Sequence, residues 1–269
     1  NKYRVLEPSC GKGNFFEEVK DSKDLEIHGI EISEHSSKIA QILYPDIKIE
    51  NKAFQDLFIK NNAPSKYEGD KYDLIIGNPP FGSYQGIYKG MGEGKAIKYY
   101  SDYFIYRSLD LLNENGILVF VVPSSFLRSK EYKTKNEISA KSHLLEAHRL
   151  PEGTFERTKI GTDLIVLTKT NNNDLDNKEL FFNDTYFSKH RENIQGQEIE
   201  RTNRFGRVEK AVIKDISKTN AIKESKQKEA SYIVPWQRLE CGVWGYREGD
   251  ISKSYSGDTL ANNWIRTPF

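Results

Sequence analysis

Residues 5–16 read VLEPSCGKGNFF. A short apolar run closes on Glu7 and Pro8, then passes through Ser9 and Cys10 into Gly11, Lys12 and Gly13. A strand that ends in a glycine-rich turn is how a doubly wound α/β fold presents ligands at the carboxyl edge of a parallel sheet. The glycines permit close backbone approach, and a following helix start can face a negative group such as a carboxylate. The spacing is not that of a phosphate loop, and the third glycine of a dinucleotide fingerprint is missing. Glu7 would sit poorly beside a pyrophosphate; a cationic, amine-bearing ligand suits it better.

Outward from this turn, β-type runs recur at 4–7, 27–31, 47–50, 72–76, 116–122, 143–149 and 163–169. Their alternation with helical or irregular connections predicts an α/β, doubly wound, mostly parallel seven-stranded sheet. Helices are expected over 14–20, 33–43 and 101–112, the last opening on Ser101 as N-cap. After Thr170 the polar run NNNDLDN marks a boundary. Residues 1–170 are thus expected as the main domain, and 171–269 as an auxiliary C-terminal extension to which the sequence assigns no role. Nine Lys/Arg against three acids over 201–228 suit either a solvated face or a surface that contacts DNA phosphates.

The 269 residues carry a formal net charge of +1 and 37% hydrophobic residues, values of a soluble globular chain. A generally basic coat is excluded, so any nucleic-acid surface must be regional. No apolar run is long enough to span a membrane. Cys10 and Cys241 are too few for a disulfide framework and lack neighbours at metal-ligand spacing, so a cytoplasmic location and no metal site are expected. Strand-like sequence begins almost at Asn1, which suggests an excised part of a longer protein.

A second acid, Glu31, ends the run HGIEIS about 20 residues past the glycines, where a carboxylate can accept ribose hydroxyls. A third landmark is DLIIGNPPFGSY, residues 73–84. It delivers Asn78, Pro79, Pro80 and Phe81 at a strand tip. This set matches methylation of an exocyclic amine whose lone pair is delocalised into an aromatic ring. The Asn78 side-chain oxygen and the Pro79 carbonyl would accept the amine's two hydrogens and stabilise the charge that grows on nitrogen. The prolines fix the backbone. Phe81 would stack on a base turned out of the duplex, a contact worth about 1–3 kcal/mol.

EPSCGKGNF together with NPPF resembles the S-adenosylmethionine-dependent DNA amino-methyltransferases, with the gamma-like order of parts. The resemblance spans residues 1 to about 170. Asn at the first position of NPPF looks like the adenine-N6 enzymes, since the cytosine-N4 enzymes mostly carry Ser there. LPEGTFERTKIGTDLIVLTK resembles the final hairpin of type I modification subunits. NPPFGSYQ, the helix region to Leu112 and FFNDTYFSKHRENIQGQ resemble the methylase part of large phage and plasmid proteins that join a methylase to a helicase.

The resemblance implies a Rossmann-like methyltransferase that binds S-adenosylmethionine and DNA, with helicase or target-recognition domains as partners in a restriction-modification or anti-restriction protein. It implies that Glu7, Pro8, Ser9, Cys10, Gly11 and Gly13 hold the methionine part, that Glu31 and Ile32 meet the ribose, and that Gln55 or Asp56 meets the cofactor's adenine. Asn78 would border both cofactor and base. The short motif that usually precedes the first strand is absent, and no separate target-recognition domain is visible. RNA or protein-glutamine methylation, or a non-catalytic DNA-binding module, are the alternatives. Ser124, Ser125 and Phe126 are expected to line the base pocket, and Tyr84, Tyr88 and Lys95 to lie in a loop that closes over substrate.

Overall fold

The structure, a computed structural model, describes residues 2–61, 63–83, 97–155, 160–170, 174–202, 206 and 208–214, with the backbone alone of 64, 236–238 and 244–246. The seven expected strands form. They are β1 (Tyr3–Glu7), β2 (Leu25–Glu31), β3 (Lys48–Asn51), β4 (Tyr72–Gly77), β5 (Leu112–Pro123), β6 (Ser142–Leu150) and β7 (Thr162–Lys169). They build one sheet in the order β3-β2-β1-β4-β5-β7-β6. The pairs among β1 to β5 are parallel, and β7 runs antiparallel to both β5 and β6.

Successive strand residues face opposite sides of the sheet, so the central strands β1, β2 and β4 serve two cores. In β1, Val5 belongs to a smaller cluster with Cys10, Phe16, Ala40 and Tyr44. Its neighbour Leu6 belongs to a larger one with Phe54, Tyr103, Leu118 and Phe120. The helices covering these faces are α1 (Glu34–Leu43), α2 (Tyr100–Leu111), α3 (Ser125–Arg128) and α4 (Lys133–Lys141). Strand order reverses between β1 and β4, so the glycine turn and the NPPF turn leave the same carboxyl edge as neighbours, the switch point where such sheets bind ligands.

Two expectations are corrected. The helix over 14–20 is only a 3-10 turn, Asn14–Phe16. Gly13 at its start is left-handed and supplies no side-chain cap, and Phe16 is held in the core against Tyr44. Ser101 does not cap α2: Tyr99 holds that position, while Ser101 is buried within the first turn. Packing continues past residue 170. One compact unit runs from Asn1 to Lys214, and a second from Asp215 to Phe269.

The reason is aromatic. After the polar run come α5 (Leu175–Leu180) and α6 (Thr185–Lys189), and Phe181, Phe182, Tyr186 and Phe187 join the larger core. A hairpin, β8 (Gln197–Thr202) and β9 (Val208–Ile213), follows and adds Val212 to that core. In the second unit, backbone strands Trp236–Arg238 and Trp244–Tyr246 pair antiparallel. No helix among the described residues is long and apolar enough to cross a membrane. The loop with Tyr84, Tyr88 and Lys95 lies outside the described residues, as do Cys241, Arg204, Arg207 and the basic run beyond 214.

Candidate active site

The glycine turn is pinned at both ends. Cys10 N–H donates to the Ile30 carbonyl at 2.9 Å, and Gly13 N–H to the Cys10 carbonyl at 2.7 Å. Gly11 and Gly13 have φ of +56° and +84°, the region where an L side chain is strained. A Cβ on Gly13 would lie 2.6 Å from the Phe16 ring and 2.7 Å from that of Tyr44. Above Gly11 there is open space. One glycine is therefore demanded by packing, while the other leaves room for a ligand.

Glu31 organises this turn. One carboxylate oxygen accepts the Gly11 N–H at 2.8 Å, and the other accepts the Ser33 N–H at 2.7 Å. Each oxygen keeps a second lone pair that a hydroxyl could use. Ile32 beside it is 71% exposed. Glu7 is buried, and its Oε2 has no hydrogen-bond partner among the described residues. Burial, and secondarily the charge of Glu31, push its carboxyl up to about 9. Burial and these same two acids push the Cys10 thiol up to about 12. The turn thus presents two acids, one of them neutral at pH 7 and unsatisfied.

Residues 54–58 form a 3-10 turn past β3. Gln55 is buried there, and the Asp56 carboxylate accepts the Ala53 N–H at 3.1 Å, fixing its own turn.

At the end of β4, Gly77 approaches the other turn. A Cβ there would lie 3.6 Å from Glu7 Cγ and 3.7 Å from Pro8 Cδ. The Ser9 hydroxyl donates to the Asn78 carbonyl at 3.4 Å. Asn78 and Pro80 are exposed, Pro79 is buried and Phe81 is half-buried. The Asn78 amide has no hydrogen-bond partner among the described residues. The structure therefore brings Glu7 to Gly13, Glu31 and Asn78 together at one switch point.

Past β5, Ser124 and Ser125 line a cavity of about 310 Å³ together with Arg128, Glu152, Arg201 and Lys210. Phe126 is buried instead, packed in the larger core. Ser124 donates to Asp163 at 2.7 Å. Asp163 also accepts a two-pronged hydrogen bond from the buried Arg149, both prongs at 2.9 Å. Arg149 grips Asp184 as well, at 2.6 and 2.7 Å, and stacks on Phe187. The sequence carries no sign of this network, because its bonded members are 14 to 39 residues apart and no local pattern marks them.

A seven-stranded sheet with an antiparallel β7, and two turns meeting at its switch point, define a Rossmann-like methyltransferase domain. A modification subunit of a proposed type I restriction enzyme from Vibrio vulnificus YJ016 shares the fold, with a TM-score of 0.52 at 17% identity over 91% of this chain and 54% of that one. The chain belongs to the Eco57I restriction-modification methylase family, whose model matches residues 17–155, just over half of it. It is 32% identical over 171 residues to the Defense against restriction protein B of Escherichia phage P1. It is 30% identical over 170 residues to the modification methylase CviBIII of Paramecium bursaria Chlorella virus NC1A. Each match covers 61% of this chain, but only 7% of the phage protein and 42% of the viral methylase.

Proposed function

We propose that the chain transfers a methyl group from S-adenosylmethionine to the N6 amine of an adenine turned out of DNA. The observation that carries this reading is the adjacency of the two turns, joined by the Ser9 hydroxyl and the Asn78 carbonyl. The family and the fold support S-adenosylmethionine as cofactor, which supplies an electrophilic methyl on a cationic sulfur. The residues suit such a ligand. Space lies open over Gly11, and the buried Glu7 carboxyl has an oxygen without a partner among the described residues, for which an ammonium is a natural partner.

Glu31 keeps acceptor capacity for ribose hydroxyls. On the other side of the edge, the Asn78 amide oxygen and the Pro79 carbonyl would accept the two hydrogens of the amine. They would stabilise the charge on nitrogen as it forms, with Phe81 stacked on the base. Gln55 and Asp56 are the candidates for the cofactor's adenine. Asp56 already serves its own turn, which leaves the buried Gln55 equally placed. Helicase or target-recognition domains as partners, and a role in restriction-modification or in protection from it, fit the relatives.

The test is transfer of labelled methyl to DNA, RNA and protein, followed by mass spectrometry of the modified product. N6-methyladenine in DNA is expected. N4-methylcytosine, or methylglutamine in protein, would refute the assignment.

A further inference from the structure

Asp102 lies in the first turn of α2 and is 1% exposed. One carboxylate oxygen accepts the Tyr132 hydroxyl at 2.8 Å, and the other the Ser101 hydroxyl at 3.4 Å. Tyr132 is the residue on which α4 opens. One turn later the fully buried Lys135 donates to the Phe126 carbonyl, and to the carbonyl and hydroxyl of Ser129 at 3.2 and 2.9 Å. These acceptors belong to α3 and its end, where the Phe126 carbonyl also accepts the Ser129 hydroxyl and the Ser129 carbonyl the Asn183 N–H. The rings of Phe126, Tyr132 and Phe182 surround the ammonium at 5.2, 5.8 and 5.0 Å.

Holding an acid and a lysine in the interior is costly, and apolar packing alone would join α2 to α4. What the cluster connects gives it a use. α2 starts directly behind the NPPF turn: Tyr100 N–H donates to the Gly82 carbonyl at 3.0 Å, and Ser83 bridges to Tyr99. α3 continues β5, where Ser124 is tied to Asp163. α2 also carries Phe104, stacked at 4.6 Å on Phe54, the neighbour of Gln55. One buried cluster therefore spans three walls of the edge.

We infer that Asp102 is a positioning residue: through Tyr132 and Lys135 it fixes the NPPF turn against the β5–α3 turn, and so sets where the Asn78 and Pro79 oxygens meet the amine. This rests on the reading of NPPF as the amine acceptor. The titratable groups facing the cluster are Tyr99, Tyr132, Lys135 and Asp184. Burial raises the Asp102 carboxyl to about 6 against the pull of Tyr132 and Lys135. Burial lowers the Lys135 ammonium to about 8 against Asp102 and Asp184. Both members are charged between those values, and protonating Asp102 below about 6 turns its acceptor oxygen into a hydroxyl.

The test compares the full chain with Asp102→Asn and with Tyr132→Phe, which removes only the hydroxyl and keeps the packing if the first fails to fold. Measured are kcat, KM for DNA, Kd for S-adenosylmethionine, the pH profile of kcat, and hydrogen exchange. A fall in kcat of about tenfold or more is expected, since small misplacements of reacting groups are costly, with the cofactor Kd unchanged. The acid limb near pH 6 should vanish in Asp102→Asn. Exchange should quicken at 78–83 and 124–129 but not in β1 to β3. Unchanged kcat, acid limb and exchange would overturn the inference. If the wild-type chain transfers no methyl, the amine reading is what falls. Exchange then decides the coupling: local quickening at 78–83 upholds it, and uniform or absent change overturns it.

Discussion

At the residue scale, the two acids of the glycine turn separate into different roles. The two oxygens of Glu31 already brace Gly11 and Ser33. Its removal takes away the brace and, on the proposed reading, a ribose acceptor. With bonds to charged groups worth about 1.5–3 kcal/mol each, Glu31→Ala should weaken S-adenosylmethionine by roughly 10- to 100-fold in a titration. Asn78→Ala should leave that affinity nearly intact while turnover drops about 10²-fold or more, the usual cost of losing one preorganised acceptor or donor. An unaltered rate would remove the mechanism proposed for NPPF.

Glu7 adds a pH signature at the same scale. Its carboxyl titrates at about 9 when folded, against an ordinary value of 4.5. The native state thus binds more protons between those values, and stability falls as pH rises through that window. Glu7→Gln should flatten this dependence in denaturant midpoints measured from pH 5 to 9. A cationic ligand partnered by Glu7 would favour its ionised form. Calorimetry at pH 7.5 in buffers of different ionisation enthalpy should then show close to one proton released per site, and buffer-independent heats would count against it.

At the scale of elements, legibility followed locality. The seven strands could be read because each is a short β-type run, and the helix over 33–43 because its pattern is local; Ser33, expected inside it, is its cap. The glycine turn, Glu31 and NPPF were legible for a similar reason: each is a short motif at a strand end. The helix at 14–20 failed because its one anchoring ring, Phe16, is used for core packing and not for helix periodicity. The β6–β7–α6 clasp was illegible because the sheet, not the sequence, places Arg149 beside Asp163 and Asp184. Arg149→Met would leave two acids without their buried partner. A loss of about 3–5 kcal/mol is expected in equilibrium unfolding. A triple variant that also neutralises Asp163 and Asp184 should recover part of it.

At the scale of the whole molecule, the position of the domain boundary is itself a physical claim. NNNDLDN has the composition of a linker, yet the chain beyond it returns to the sheet. Asn183 and Asp184 N–H groups donate to the Ser129 and Leu127 carbonyls at 3.1 and 2.9 Å, closing the end of α3. Phe181, Phe182, Tyr186 and Phe187 bury their rings in the larger core. At roughly 1.5–3 kcal/mol per fully buried large side chain, losing four of them approaches the entire 5–15 kcal/mol by which domains are stable. A chain cut after Thr170 should therefore lack a cooperative thermal transition and bind hydrophobic dyes. One cut after Lys214 should unfold cooperatively and retain S-adenosylmethionine binding, because every candidate cofactor residue lies within the first compact unit. If the shorter chain melts as sharply as the longer one, α5 and α6 are an accessory to the fold and not part of its core.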